Sequence, residues 1–121
     1  MRDMLPRLFF VHFRETTFVA EEDSELIGFL AGFLSQTHPD EAYIHFVGVH
    51  PDQRGAGLAR DLYERFFTAA REHGRSLVRC VTSPANEGSI RFHERMGFEI
   101  DHVADDYDGS GESRVLFVRR I

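Results

Sequence analysis

The run Arg54-Gly55-Ala56-Gly57-Leu58-Ala59 places two glycines around one alanine, behind an arginine and ahead of a long helical pattern. Glycines at such a point let the backbone approach a ligand closely, and a helix start adds unpaired N–H groups with a partial charge of about +0.5. Phosphate is the natural guest of that combination. A Walker loop is excluded, because it ends in Gly-Lys-Ser/Thr and the chain has no lysine; a dinucleotide fingerprint would need a third glycine and an early βαβ unit. A glycine-rich turn also occurs as plain punctuation between elements, so its setting decides. Here it follows a central strand interrupted by Gly48, which reads as a bulge or a point of close backbone approach. A strand that leaves its neighbour there offers backbone groups to a ligand carrying amides beyond its phosphates.

A second group of residues follows Asn86. On a helical projection Ile90, Phe92, His93, Met96 and Gly97 fall in one arc, with Arg91, Glu94 and Arg95 outside it. His93 therefore points inward, either as a core histidine satisfied by a backbone carbonyl or as an acid or base at the floor of a cleft. Asn86 suits a helix N-cap. His45 and His50 lack helical metal spacing, and no clustered ligand set for a metal is found. Cys80 is the only cysteine, which excludes an intrachain disulfide and a thiolate metal cage; inside "SLVRCVTS" it reads as a buried strand residue.

The elements that must position these residues follow from periodicity. The 121 residues suit one domain, 1–121, with a single core. A short helix or helix end is expected over residues 5–13. "TTFVAEED" and "ELIGFLAGFL" read as an antiparallel hairpin, and "AYIHFVGVHP", apolar on both faces, as a central strand. Residues 57–73 read as a helix whose inner rows are Leu58, Leu62, Phe66, Ala70 and Ala59, Tyr63, Phe67, with Gly74 as its stop. A strand, the helix capped by Asn86 and a final hairpin around "YDGSGES" complete a mixed α/β order, whose central strand-helix-strand crossover should be right-handed and parallel. No apolar run reaches the ~20 residues of a membrane span and the start does not resemble a signal peptide, so a soluble, cytoplasmic protein is expected. The net charge of −6 disfavours nucleic acid as the main partner. All 14 basic residues are arginines, so the chain's cationic sites are fixed charges.

Taken together, the two segments resemble the GCN5-related N-acetyltransferase (GNAT) superfamily. Arg54 to Ala59 matches its Gln/Arg-x-x-Gly-x-Gly/Ala pyrophosphate loop, preceded by the strand end "VGVHP", and Asn86 to Phe98 matches its Asn…Phe-Tyr…Gly-Phe helix. The resemblance covers roughly residues 17–121. It implies a mostly antiparallel sheet with a central parallel pair splayed around the cofactor, shortened at its N-terminus relative to the usual members. Acetyl-CoA would lie in the V between the strands after Tyr43 and Ser76. Backbone groups around Val47, Gly48 and Val49 would meet the pantetheine, those of Arg54, Gly55, Ala56, Gly57, Leu58 and Ala59 the pyrophosphate, while Asn86, Ser89 and Phe92 would face the cofactor.

The resemblance further implies direct attack by a primary amine, of a small molecule or a peptide, in a ternary complex. His93 stands where the family's general acid is a tyrosine. A base is expected on the strand "EAYIHFV", where Tyr43 and His45 would share a face with Val47 by the period of two; His45 or Tyr43 would serve, or Glu41 through a water. The uncovered edge at "TTFVAEED" would favour a homodimer. The alternative is a non-catalytic acyl-CoA-binding module with the same fold.

Overall fold

The computed structural model describes residues 13–53, 55 and 57–121. The helix expected over 5–13 therefore lies outside the described residues, Phe13 apart, as do Arg54 and Ala56. Six strands, β1 (Thr17–Glu22), β2 (Glu25–Leu34), β3 (Glu41–Val49), β4 (Leu77–Thr82), β5 (Glu99–Ala104) and β6 (Arg114–Arg120), form one sheet in the order β1-β2-β3-β4-β6-β5. Helix α1 (Leu58–Glu72) links β3 to β4, and α2 (Glu87–Arg95) links β4 to β5. The β3–β4 pair is parallel and the other described pairs are antiparallel, the expected mixed sheet with a central parallel pair.

Local chemistry sets the element ends. Asp23 and Ser24 both take positive φ, the geometry of a two-residue hairpin turn whose twist matches that of the strands it joins. Leu62, Tyr63, Phe66, Phe67 and Ala70 form the buried stripe of α1, and His73 and Gly74 close the helix. Asn86 caps α2 as expected: its Oδ1 accepts from the Ser89 N–H at 3.0 Å.

The main core lies between both helices and one face of the sheet, where Leu30, Ala42, Ile44, Val78, Cys80 and Phe117 meet α1 and α2. A smaller cluster on the opposite face joins Phe29 and Ala31 to Phe13, Leu26, Phe33 and Phe46. Leu30 and its two neighbours alternate between these cores, as strand geometry requires.

The β2–β3 register departs from that alternation once. Ala31 pairs with Phe46 but Gly32 with Ile44, so His45 is an extra residue, a bulge. The parity of β3 flips there. Ala42, Ile44 and then Val47 pack toward the helices, whereas Tyr43 stacks on Phe33 at 5.2 Å and Phe46 joins the opposite cluster. The expected face shared by Tyr43, His45 and Val47 is thus corrected: Val47 lies on the other side from Tyr43. Gly48 is the close approach of the two expected alternatives, since a Cβ on it would stand 2.5 Å from the Phe29 ring.

The pairing of β3 with β4 is short. It holds at Glu41↔Leu77, Ala42↔Val78 and Tyr43↔Arg79, and the two strands then run on without pairing to each other, β3 still paired to β2 and β4 to β6. The V opens after Tyr43 and Arg79.

Candidate functional site

One lip of the V is β3. The His50 N–H donates to the Ile27 carbonyl at 2.8 Å, which fixes the phase of the antiparallel ladder. By alternation Gly48 turns its backbone groups toward β2, whereas Val47 and Val49 turn theirs into the V. Of the three positions expected to meet an extended ligand, Val47 and Val49 therefore offer backbone polar groups and Gly48 does not.

The chain leaves this lip through a 3-10 turn (Pro51–Gln53) and enters α1 at Gly57. Gly55 and Gly57 hold φ of +85° and +82°, the left-handed region that favours glycine. Among the described residues no side chain caps the start of α1, and its first internal bond runs from the Asp61 N–H to the Gly57 carbonyl at 3.0 Å. The N–H groups of the first turn, Leu58 and Ala59 among them, precede that bond. A Cβ on either glycine would meet no described atom within 4 Å beyond its chain neighbours. Among the described residues the result is a helix start with nothing seated above its glycines, a geometry suited to an anion.

α2 lies close by, and its inward residues are tightly engaged. His93 is buried at 6% exposure, stacked on Phe117 at 4.7 Å. Its Nδ1 lies 2.7 Å from the Ser89 carbonyl and its Nε2 2.8 Å from Tyr63 Oη. The carbonyl can only accept, so Nδ1 carries the proton and Nε2 accepts from the Tyr63 hydroxyl. Burial pushes the imidazole below its ordinary pKa, against the raising effect of the Ser89 bond, and pushes the Tyr63 phenol well above its own. Both nitrogens are engaged and the ring takes up a proton less readily than a free imidazole, which is the arrangement of a core histidine. Phe92 packs edge-on against Tyr63 at 5.1 Å, Ser89 Oγ lies 3.3 Å from the same imidazole, and Asn86 spends its oxygen on the cap.

On the opposite face of the sheet, at the apex of the V, lies a cavity of about 430 Å³. Glu41 and Tyr43 of β3, Arg79 of β4, Asp101 and His102 of β5 and Tyr107 of the β5–β6 loop line it. Arg79 Nε donates to Glu41 at 2.8 Å and its Nη1 stands 3.8 Å from Asp101, whose Oδ2 accepts from His102 Nδ1 at 2.8 Å. Burial, with smaller contributions from Tyr107, Cys80 and Asp108, pushes the Tyr43 phenol up to about 12. His45 is exposed, its ring 4.1 Å from that of Phe46, and does not line this cavity. A larger groove of about 630 Å³ runs along α1 beside Glu15 and His73, away from both the glycine turn and the V. Sequence reasoning missed Arg79, Asp101, His102 and Tyr107. The adjacent Asp-His pair was their one available signal.

Among the described residues no group of three or more His, Cys, Asp or Glu could hold a metal, and no helix is long and apolar enough to cross a membrane. A sequence profile of the acetyltransferase (GNAT) family matches residues 2–98. The L-2,4-diaminobutyric acid acetyltransferase of Nocardia farcinica is 35% identical over 78 residues, 64% of this chain and 40% of that protein. Its namesake from Halalkalibacterium halodurans is 30% identical over 90 residues, 74% of this chain and 48% of that one. The chain thus spans about half the length, or less, of these curated relatives. The crystal structure of Ard1 from Thermoplasma volcanium shares the fold with a TM-score of 0.82 at 24% identity, over 93% of this chain and 75% of that one.

Proposed function

Because the chain belongs to the acetyltransferase (GNAT) family, we propose that it transfers an acetyl group from acetyl-CoA to the primary amine of a small amino-acid-like acceptor. The observation that carries this reading is the uncapped start of α1 behind Gly55 and Gly57, set at the end of a strand that has left its parallel neighbour. That arrangement fits a pyrophosphate followed by an amide-bearing arm. Backbone groups of the Arg54–Ala59 turn would take the pyrophosphate and those of Val47 and Val49 the pantetheine amides. Bound there, acetyl-CoA supplies the activated acetyl thioester, and a strand N–H at Val47 or Val49 is suited to the charge that develops on its carbonyl oxygen.

The acceptor belongs to the cavity on the opposite face. Glu41 and Asp101 outnumber Arg79 there, and the Tyr43 and Tyr107 rings add apolar walls, a lining suited to an ammonium group on a short chain. The relatives named for diaminobutyric acid support that class. His93 fits a positioning role: bonded at both nitrogens, it ties the first turn of α2 to α1, and the amide nitrogen of Asn86 is left for the cofactor arm.

Calorimetric titration of acetyl-CoA into the chain and into Gly57→Glu tests the reading. Micromolar binding by the wild type is expected, weakened about a hundredfold or more, some 3 kcal/mol, in the variant, whose carboxylate would occupy the cradle. No binding by the wild-type chain would overturn the proposal. Binding without transfer to any amine would favour the acyl-CoA-binding module instead.

A further inference from the structure

The candidate bases on β3 are not the groups best arranged at the acceptor cavity. His45 stands outside the lining, Glu41 is committed to Arg79 at 2.8 Å, and Tyr43, half-buried, holds its proton more firmly than a free phenol. β5 offers another arrangement. Ile100 pairs with Phe117 and His102 with Leu116, so Asp101 is an extra residue in the strand. Bulges re-aim side chains, and this one brings two consecutive residues, Asp101 and His102, to the same cavity, where alternation would send them to opposite faces. The Asp101 carboxylate accepts from His102 Nδ1 at 2.8 Å, so the imidazole carries its proton there and keeps the lone pair on Nε2. An imidazole oriented through one nitrogen by a carboxylate, with the other nitrogen open, is the arrangement of a general base.

We propose that His102 is the general base for the acceptor amine, with Asp101 as the residue that positions it. The assignment rests on the acetyltransferase reading above. His102 Nε2 takes one proton from the acceptor's ammonium group, leaving a neutral amine whose lone pair forms the C–N bond while the C–S bond of the acetyl thioester breaks. The second proton lost by the nitrogen goes to the departing thiolate, and the imidazolium returns its own to water. Asp101 stabilises the imidazolium while it lasts. The other titratable or charged groups at this cavity are Glu41 and Tyr43 from β3, Arg79 from β4, Tyr107 from the β5–β6 loop and His38 from the β2–β3 loop.

Two measurements test this together. In the first, histidine ring resonances are followed as L-2,4-diaminobutyrate is added without acetyl-CoA, His102 being assigned by its absence in His102→Gln. The His102 signals should move and the His93 signals should not. In the second, kcat/KM is measured across pH. His102→Gln should lose about a hundredfold or more and flatten the acid limb, and added imidazole should restore part of the rate to His102→Ala. Asp101→Asn should lose about tenfold, as expected of a residue acting through its partner. Acetyl-CoA affinity should be unchanged in all three.

His102→Gln that keeps the wild-type rate and limb, or His102 signals that ignore the amine, would overturn the assignment while leaving the acetyltransferase reading intact. Transfer of the acid limb's loss to Glu41→Gln would do the same. A wild-type chain that binds acetyl-CoA but acetylates no amine would overturn the enzymatic reading, and the base with it.

Discussion

A Cβ built on Gly32 would run into the Phe66 ring and stand 2.7 Å from the Tyr43 carbonyl, and one on Gly48 would stand 2.5 Å from the Phe29 ring; one on Gly55 or Gly57 meets no described atom within 4 Å beyond its chain neighbours. The interior and the turn ahead of α1 thus use the same residue type for opposite reasons. In the interior glycine is present because the volume is taken by the chain's own aromatic rings, and polar groups follow the same rule: His93 has a partner for each nitrogen. At the turn the backbone is bent into the left-handed region, and beyond the chain neighbours no described atom stands within 4 Å of a Cβ built on its glycines. Room that no described atom fills, beside N–H groups that no described side chain caps, is what the proposed cofactor site would use.

Substitutions in three places can break or sharpen that contrast. The steepest loss is expected for Gly32→Ala, where overpacking against Phe66 and the Tyr43 carbonyl should cost about 3 kcal/mol in denaturant unfolding. An unchanged midpoint would mean that the interior is looser than its contacts imply.

Next comes the buried polar pair. Tyr63→Phe or His93→Phe alone strands a partner and should cost about 1–3 kcal/mol, whereas the double variant should lose less than the sum. The pair also sets an acid-side signature. His93 binds its proton less readily in the folded chain than in the unfolded one. Its stabilising contribution is therefore complete above the ordinary histidine value of about 6.5 and is lost as the pH falls from there toward the lowered value. Stability of the double variant should fall less steeply over that window, read from unfolding midpoints at a series of pH values.

The smallest effect on stability is expected for Gly55→Ala, about 1 kcal/mol from the left-handed φ alone, since its methyl group meets no described atom. Its larger consequence should appear in acetyl-CoA affinity. A loss of stability as great as that at Gly32 would erase the distinction between the two regions.

Much of this was legible in the sequence because it is local. The two helical stripes, the cap at Asn86, the hairpins and the glycine turn each follow from residues within a few positions of one another, and the observed elements match them closely. What escaped is where periodicity fails or where distant residues meet. Nothing in Ile44-His45-Phe46 signals a bulge, because β3 is apolar on both faces and a phase change leaves no mark in its pattern. Both Tyr63 and His93 could be placed facing inward, but their hydrogen bond joins positions 30 apart. The Asp101–His102 pair was hidden by the same period of two that made the strands readable, since alternation assigns neighbours to opposite faces.

The three rungs at Glu41, Ala42 and Tyr43 are where the hairpin half of the sheet, residues 17–49, is laced by backbone pairing to the half made by β4, β5 and β6. Beyond that seam, the two halves share one core cluster with α1. A molecule lying along the V and bonded to both lips would act as a keystone. Its affinity would then register as resistance of the whole sheet to coming apart, growing with the logarithm of its concentration above Kd.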